Sequence, residues 1–325
     1  PETPPDNGGA MTKPPSPTAS AVPLRFEGKP SNWRAMLGSL LARRPAQAPA
    51  DALNVHFHAV WNGAQADPAA LAGYRAVCEL PAGPTLPLLY LHAMAMPLHM
   101  AILSHPAFPL RLLGLVHWTN KINSLQPVAH DAVLAMECTL NGITATDRGQ
   151  SFSLHTTVRV GDVDGDVVWR EVSTFLSPLA KSKSARSADA AQASKARAAS
   201  DVPEPDWGTP VAQWSVAANV GRRFAKPSGD WNPIHVSAFT ARLFGYPRAI
   251  AHGLFSAARC LALLEKALPP GQPLMLDLRF KRPLLIPGTV ALHTAQEGNS
   301  TRFVLKVQPT GEPHIEGVIQ QLDQS

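Results

Sequence analysis

Residues 252–268, HGLFSAARCLALLEKAL, read as a helix that is apolar on nearly every side. Leu254, Ala257, Ala258, Leu261, Leu264 and Leu268 recur at helical spacing along one stripe, Phe255, Ala262 and Leu263 lie opposite, and Pro269-Pro270-Gly271 ends it. A helix of this kind must be wrapped by other structure. The sequence that follows can supply the wrapping. Leu274, Leu276, Leu278 and Phe280 alternate with Met275, Asp277, Arg279 and Lys281, and further strands are predicted over residues 289–295, 301–307 and 314–320.

The same order of elements occurs earlier in the chain. Residues 87–103, PLLYLHAMAMPLHMAIL, align with residues 247–263, PRAIAHGLFSAARCLAL, at a constant shift of 160 that pairs Pro87 with Pro247 and His92 with His252. The same shift pairs Lys121 with Lys281 and Pro127 with Pro287. First-half strands are predicted over residues 111–121, 132–140, 152–160 and 167–176. A long helix followed by an antiparallel meander, present twice, predicts an α+β chain in which two antiparallel sheets each wrap their own helix.

Residues 180–200 contain no large apolar side chain and cannot bury enough surface to order alone, so residues 180–205 are expected to be a linker. Residues 1–23, rich in Pro, Thr, Ser and Gly, are expected to be a disordered tail, which leaves 24–179 and 206–325 as the two folded halves. A short packing helix is predicted from Ser31, with Trp33, Met36, Leu37, Leu40 and Leu41 at helical spacing and Arg43-Arg44 at its end. The net charge of +5 is spread without a long basic run or interleaved aromatics, which argues against nucleic acid and for a small polyanionic ligand. Cys78, Cys138 and Cys260 lack CxxC spacing, so buried thiols in a reducing compartment are expected. The longest apolar run, residues 86–103, is broken by Pro87, His92, Pro97 and His99, so no membrane span is expected. With no apolar leader and no peroxisomal-type tripeptide at its end, the chain reads as cytoplasmic, and Met11 is a candidate native start.

Within residues 225–239, AKPSGDWNPIHVSAF, Asn232 is a favoured N-cap and Pro233 a favoured first helical residue, so a helix is predicted from there to Phe244 with Gly245 at its end. Capping leaves Asp230 and His235 unexplained. One lies just before the cap and the other in the first turn, so both can face one pocket at the positive end of the helix, an ionised acid beside a neutral base. Downstream, AIAHGLF opens the buried helix at His252-Gly253, where a glycine lets a ligand approach free backbone N–H groups. Together these residues offer an acid, a base and an oxyanion site.

SGDWNPIH, then AIAHGLF, then LRFKRPLLIPGTV resemble the MaoC-like dehydratase family, which includes the (R)-specific enoyl-CoA hydratases, or hydratase 2. The likeness covers about residues 214–320; the first half shares only the order of elements. It implies the double hot-dog fold, with a catalytic second half and a first half that widens the acyl-binding space. Shifting Asp230 and His235 back by 160 lands on Ala70 and Arg75, so one active site per chain is expected. By this resemblance Asp230 and His235 hold water beside C3 of a trans-2-enoyl-CoA and share the proton transfers, and Gly253 N–H binds the thioester oxygen.

Ser228, Asn232, His252, Arg279 and Lys281 are further candidates for substrate contact. Ser228 is placed to orient the Asp230 carboxylate or simply to make a turn; Asn232 fits a cap better than a substrate contact; His252 fits packing or hydrogen bonding as well as substrate. Arg222, Arg223, Lys226, Arg279, Lys281 and Arg282 are candidates for the CoA phosphates, against a solvated face. His56 and His58 alternate along a strand with no acidic or thiol ligand at suitable spacing, so no metal is expected, and no other cofactor motif is present. An acyl-carrier-protein substrate, a catalytically silent acyl-thioester-binding subunit and a homodimer remain open.

Overall fold

The computed structural model describes residues 21–30, 44–179, 205–264 and 271–322. The predicted helix at 31–44 therefore lies outside the described residues except for Arg44, and the linker lies outside them up to residue 204. The first half contains β1 (Val22–Phe26), β2 (His56–Ala64), α1 (Pro68–Cys78), α2 (Tyr90–Ser104), β3 (Val116–Ser124), β4 (Leu134–Asn141), β5 (Thr144–Thr146), β6 (Gly149–Val160) and β7 (Val167–Pro178). The second contains β8 (Ala212–Val216), α3 (Val220–Ser228), α4 (Pro233–Val236), α5 (Ala238–Leu243), α6 (Gly253–Leu264), β9 (Leu274–Phe280), β10 (Gly288–Glu297), β11 (Ser300–Gln308) and β12 (Glu312–Gln321). No described helix is long and apolar enough to cross a membrane.

The wrapping requirement is met, but by one sheet rather than two. The strand order is β1-β2-β4-β6-β7-β3-β9-β12-β11-β10-β8, with β5 on β6. Reading outward from the centre pairs β3 with β9, β7 with β12, β6 with β11, β4 with β10 and β2 with β8, which is the duplication expressed in space. The half-sheets join because β3 and β9 are each an edge of their own half and satisfy one another's backbone groups, Thr119 opposite Arg279 and Lys121 opposite Asp277. Val22 and Pro23, which the sequence reading assigned to the tail, belong to β1, a parallel edge strand on β2.

The central helices α2 and α6 lie against this sheet, and every residue from Phe255 to Ala262 is buried. Buried side chains of both halves form one continuous cluster. Cys78, Cys138 and Cys260 are unpaired and buried, and burial pushes all three thiols upward. Arg44 donates to the carbonyls of Leu103, Ser104 and His105 at 3.0–3.1 Å, placing its cation at the negative end of α2.

The 160-residue shift does not hold through the motif. α1 ends at Glu79 and α3 at Gly229, both left-handed and 150 apart (229 − 79), whereas His92 and His252 are 160 apart. The second half thus carries ten extra residues between these landmarks, and α4 and α5 lie in that segment. Ala70 and Arg75 sit in α1, the counterpart of α3, so they are not the equivalents of Asp230 and His235. Leu80, which follows Glu79 as Asp230 follows Gly229, holds the corresponding place.

Candidate active site

Gly229, at φ 76, turns the chain out of α3 and presents Asp230. Ser228 does not reach the Asp230 carboxylate. Its hydroxyl donates to Phe224 O at 2.7 Å and accepts from Asp230 N at 3.3 Å, so it shapes the turn. The carboxylate instead accepts from Asn232 N at 3.1 Å. Asn232 Oδ1 in turn accepts from Ile234 N at 3.4 Å, the predicted cap. The predicted helix 233–244 divides at Ser237, which is extended at φ −150 and ψ 153 and caps α5 by accepting from Thr240 N at 3.1 Å.

His235 Nδ1 donates to Ile250 O at 2.8 Å, so its neutral form keeps a lone pair on Nε2. Ile250 N also bonds Ile234 O at 3.1 Å, fastening the motif to the approach of α6. On the other side, a Cβ at Gly221 would meet His235 O at 1.9 Å. The sequence reading passed over this glycine, whose lack of a side chain lets α3 touch the backbone of the base.

His252 completes the group. Its Nε2 donates to Asp230 O at 3.0 Å and lies 3.7 Å from Asp230 Oδ2, while its ring stacks on His235 with centroids 3.8 Å apart. Its Nδ1 is buried with no hydrogen-bond partner among the described residues. One atom each from Asp230, His235 and His252 lies within 4.8 Å of the others, a spacing that could also hold a metal ion.

Burial alone would raise the Asp230 carboxyl, but His252, His235 and the Asn232 N–H together favour the anion and hold it below its ordinary value. Burial pushes His235 down, with Asp230 and the Ile250 carbonyl offsetting only part. Burial and the neighbouring His235 bring His252 to about 3. The outcome matches the predicted ionised acid beside a neutral base, but the cause differs. α4 has only four residues, so burial and contacts rather than a long helix dipole set these states.

Gly253 is the first residue of α6, where an amide has no acceptor within its own helix. A Cβ there would meet Phe280 Cδ1 and Cε1 at 2.5 Å, so only glycine permits this approach of β9 to the helix start. Of the phosphate candidates at that strand end, Lys281 is engaged with Glu316 at 2.8 Å and Arg282 with Glu312 at 3.3 Å, while Arg279 is exposed. His58, expected to stand apart from acids, meets Glu137 of β4 at 2.7 Å.

A second His–carboxylate group escaped the sequence reading. His92 Nδ1 lies 2.7 Å from Glu171 Oε1, which also accepts from Asn120 Nδ2 at 2.6 Å, and His99 Nε2 lies 4.0 Å from Glu171 Oε2. His92, His99 and Glu171 also have ligand atoms close enough for a metal ion, and all three are buried. The pairing of His92 with His252 in the repeat was its only signal.

A sheet wrapped round two central helices, with an ionised carboxylate, neutral imidazoles and an open helix start at one end, defines a hydro-lyase of double hot-dog fold. Residues 209–318 match the family model of the MaoC like domain. The chain is 32% identical over 256 residues to 3-hydroxyacyl-thioester dehydratase X of Mycobacterium tuberculosis, covering 79% of this chain and 86% of that protein. A crystal structure of that dehydratase, HtdX, superposes with a TM-score of 0.68 at 29% identity, over 82% of this chain and all (100%) of that one. Peroxisomal multifunctional enzyme type 2 of Mus musculus is 33% identical over 89 residues, 26% of this chain and 12% of the mouse protein. This chain belongs to the MaoC-like dehydratase family.

Proposed function

We propose that the chain interconverts (3R)-hydroxyacyl and trans-2-enoyl thioesters, with coenzyme A accepted as the thioester carrier. The carrying observation is the Asp230–His235–His252 group. Asp230 offers an anionic acceptor, and the Nδ1–H bond of His235 to Ile250 O leaves Nε2 free to accept a proton. In hydration, water held between Asp230 and His235 loses a proton to this pair as its oxygen bonds C3, and the pair returns a proton to C2. Negative charge developing on the thioester oxygen is met by Gly253 N–H at the start of α6. His252 pins the Asp230 backbone and the His235 ring, so its role is positioning.

The first half is proposed as the acyl-binding half. Tyr74, Leu80, Leu88 and Leu89 of this half stand together with Ala258 and Leu261 of α6 as an apolar group, and Leu80 stands where the second half has Asp230. Arg279, one residue from the Phe280 that covers Gly253, is the proposed phosphate contact.

The test follows loss of the enoyl-thioester absorbance with short, medium and long trans-2-enoyl-CoA, and chiral analysis of the product, for wild type, Asp230→Asn and His235→Ala. A wild type that hydrates none of them, or two variants that keep full activity, would overturn the reading. A silent thioester-binding subunit would give the first of these results.

A further inference from the structure

Among the described residues, Glu79 is the one residue other than glycine with a left-handed backbone, at φ 52 and ψ 40. In the second half the same place after the helix is taken by Gly229, which adopts φ 76 without a side chain to crowd it. A side chain on a left-handed residue costs backbone energy and persists where its surroundings hold it. The hold comes from the other half. Arg259 is the only charged residue of α6 and is 7% exposed. Its Nη2 lies 2.7 Å from Glu79 Oε2, its Nη1 donates to Cys78 O at 3.1 Å, and its guanidinium carbon stands 5.5 Å from the centre of the Trp214 ring on β8.

An ion pair in water is worth little, but this pair is in water at one end only. The Glu79 side chain is 70% exposed and that of Arg259 8%. A buried guanidinium needs an anion far more than an exposed carboxylate needs a cation. Glu79 thus supplies the charge that lets Arg259 reach across from α6 to the end of α1.

The residue held in place by this contact is Leu80. Its N–H donates to Arg75 O at 2.9 Å, and the Arg75 guanidinium donates to Pro81 O, Gly83 O and Thr85 O at 3.1, 2.9 and 2.6 Å, which braces the chain that follows. Leu80 stands in one apolar group with Ala258 and Leu261, the residues of α6 on either side of Arg259. The two ends of the ion pair therefore belong to the two walls of the proposed acyl space. Leu261 is eight residues beyond Gly253 (261 − 253), about 12 Å along α6 at the helical rise. An extended chain advances by about 1.2 Å per bond, so an acyl chain lying beside α6 with its thioester at Gly253 meets this group after about ten carbons.

We propose that the Glu79–Arg259 clasp sets the acyl-chain length of the enzyme by holding Leu80 against α6 as an end stop. This rests on the thioester hydro-lyase reading above, with the first half as the acyl-binding half. Glu79 and Arg259 are positioning residues, since the chain meets Leu80 and not the ion pair. A closed apolar stop of this kind discriminates by about tenfold or more against a chain that overruns it.

The experiment measures kcat/KM for trans-2-enoyl-CoA of eight and of sixteen carbons, and by calorimetry the dissociation constants of saturated acyl-CoA of the same two lengths, in wild type, Glu79→Gly and Glu79→Gln. Glu79→Gly removes the carboxylate and suits the left-handed backbone, so the turn after α1 is kept. Glu79→Gln leaves an amide oxygen for Arg259. The ratio of sixteen-carbon to eight-carbon kcat/KM does not depend on how much of the enzyme is folded. It is expected to rise by about tenfold in Glu79→Gly, together with the ratio of affinities, and to take an intermediate value in Glu79→Gln. A ratio in Glu79→Gly within about twofold of wild type overturns the clasp, whether or not the variant unfolds earlier in urea. So does a wild type that binds both lengths equally. A wild type that turns over no thioester, but whose length preference in binding shifts in Glu79→Gly, sinks the proposed function and leaves the clasp; an active wild type whose preference stays fixed in Glu79→Gly sinks the clasp and leaves the function.

Discussion

His92 and His252 occupy equivalent places at the starts of the two central helices, and each meets a carboxylate that arrives by a different route. In the first half the acid is Glu171, on a strand inside the sheet, with a side chain 0% exposed, bonded to His92 and Asn120 and held down to about 2. In the second half it is Asp230, on the loop after α3, with a side chain 31% exposed. A carboxylate that comes from within the sheet is sealed by its partners. One carried on the loop after α3 stays within reach of a substrate. The duplicated scaffold thus tolerates the same histidine in a sealed hydrogen-bonded pair and in the proposed chemical site, and the approach of the acid separates the two.

The contrast is broken most directly by neutralising each acid. Asp230→Asn or His235→Ala should lower kcat by about 10³-fold, the usual reach of positioned acid–base groups, with little change in the urea unfolding midpoint. Glu171→Gln should do the reverse. Removing one partner of a buried pair costs about 3 kcal/mol, read as an earlier urea transition, while kcat stays within about tenfold of wild type. A Glu171→Gln protein of normal stability but with the activity loss of Asp230→Asn would end the division of labour.

Gly253→Ala tests the oxyanion site. The new methyl group would run into the Phe280 ring, so a loss of about 10²-fold in kcat is expected, with partial recovery when Phe280→Leu is added. Recovery by the double variant separates a displaced helix start from a folding defect.

The pH response sharpens the comparison, because both halves bury neutral histidines. Burial brings His99 and His117 of the first half and His252 of the second to about 3, and His314 to about 4. Each therefore binds its proton less readily folded than unfolded, where about 6.5 is usual. Their contribution to stability is full above about pH 6.5 and is lost as pH falls, by roughly 1.4 kcal/mol per pH unit for each histidine until its folded value is reached. His117→Phe, which keeps a ring between Phe175 and Phe280, should flatten that slope by about one such step in urea titrations between pH 6.5 and 4.5. For catalysis, His235 and Asp230 both lie below their ordinary values, so the acid limb of kcat/KM should fall below pH 6.5.

The smallest expected effect concerns the caps. Asn232→Ala should cost about 1 kcal/mol, as should Asp67→Ala at the start of α1, where Asp67 accepts from Ala70 N at 2.6 Å. A hundredfold activity loss at Asn232 without a comparable stability loss would make it a substrate contact.

Much of the fold was legible. Alternation located β4, β6, β7 and β9 to β12 to within a few residues and β3 less closely, while β1, β5 and β8 were not predicted; an apolar helix needing cover implied the wrapped architecture. α1 and α3 were not predicted; α3 is a short amphipathic helix whose last turn holds Pro227, a residue that reads as a helix stop. In the site, Asp230 and His235 stood out as residues that capping could not explain, yet His252, 22 positions from Asp230, was divided between packing and substrate.

The sequence by itself determined the two central helices, most of the strands, the cap at Asn232 and the pair that the cap left over, since periodicity and capping act over a few neighbouring residues. Tertiary structure decided that β3 and β9 join two half-sheets into one, that Glu171 closes on His92 from 79 positions away, and that His252 lies on His235. Those contacts depend on strand register and on how helices seat against the sheet. Burial then makes each polar group find a partner or change its protonation.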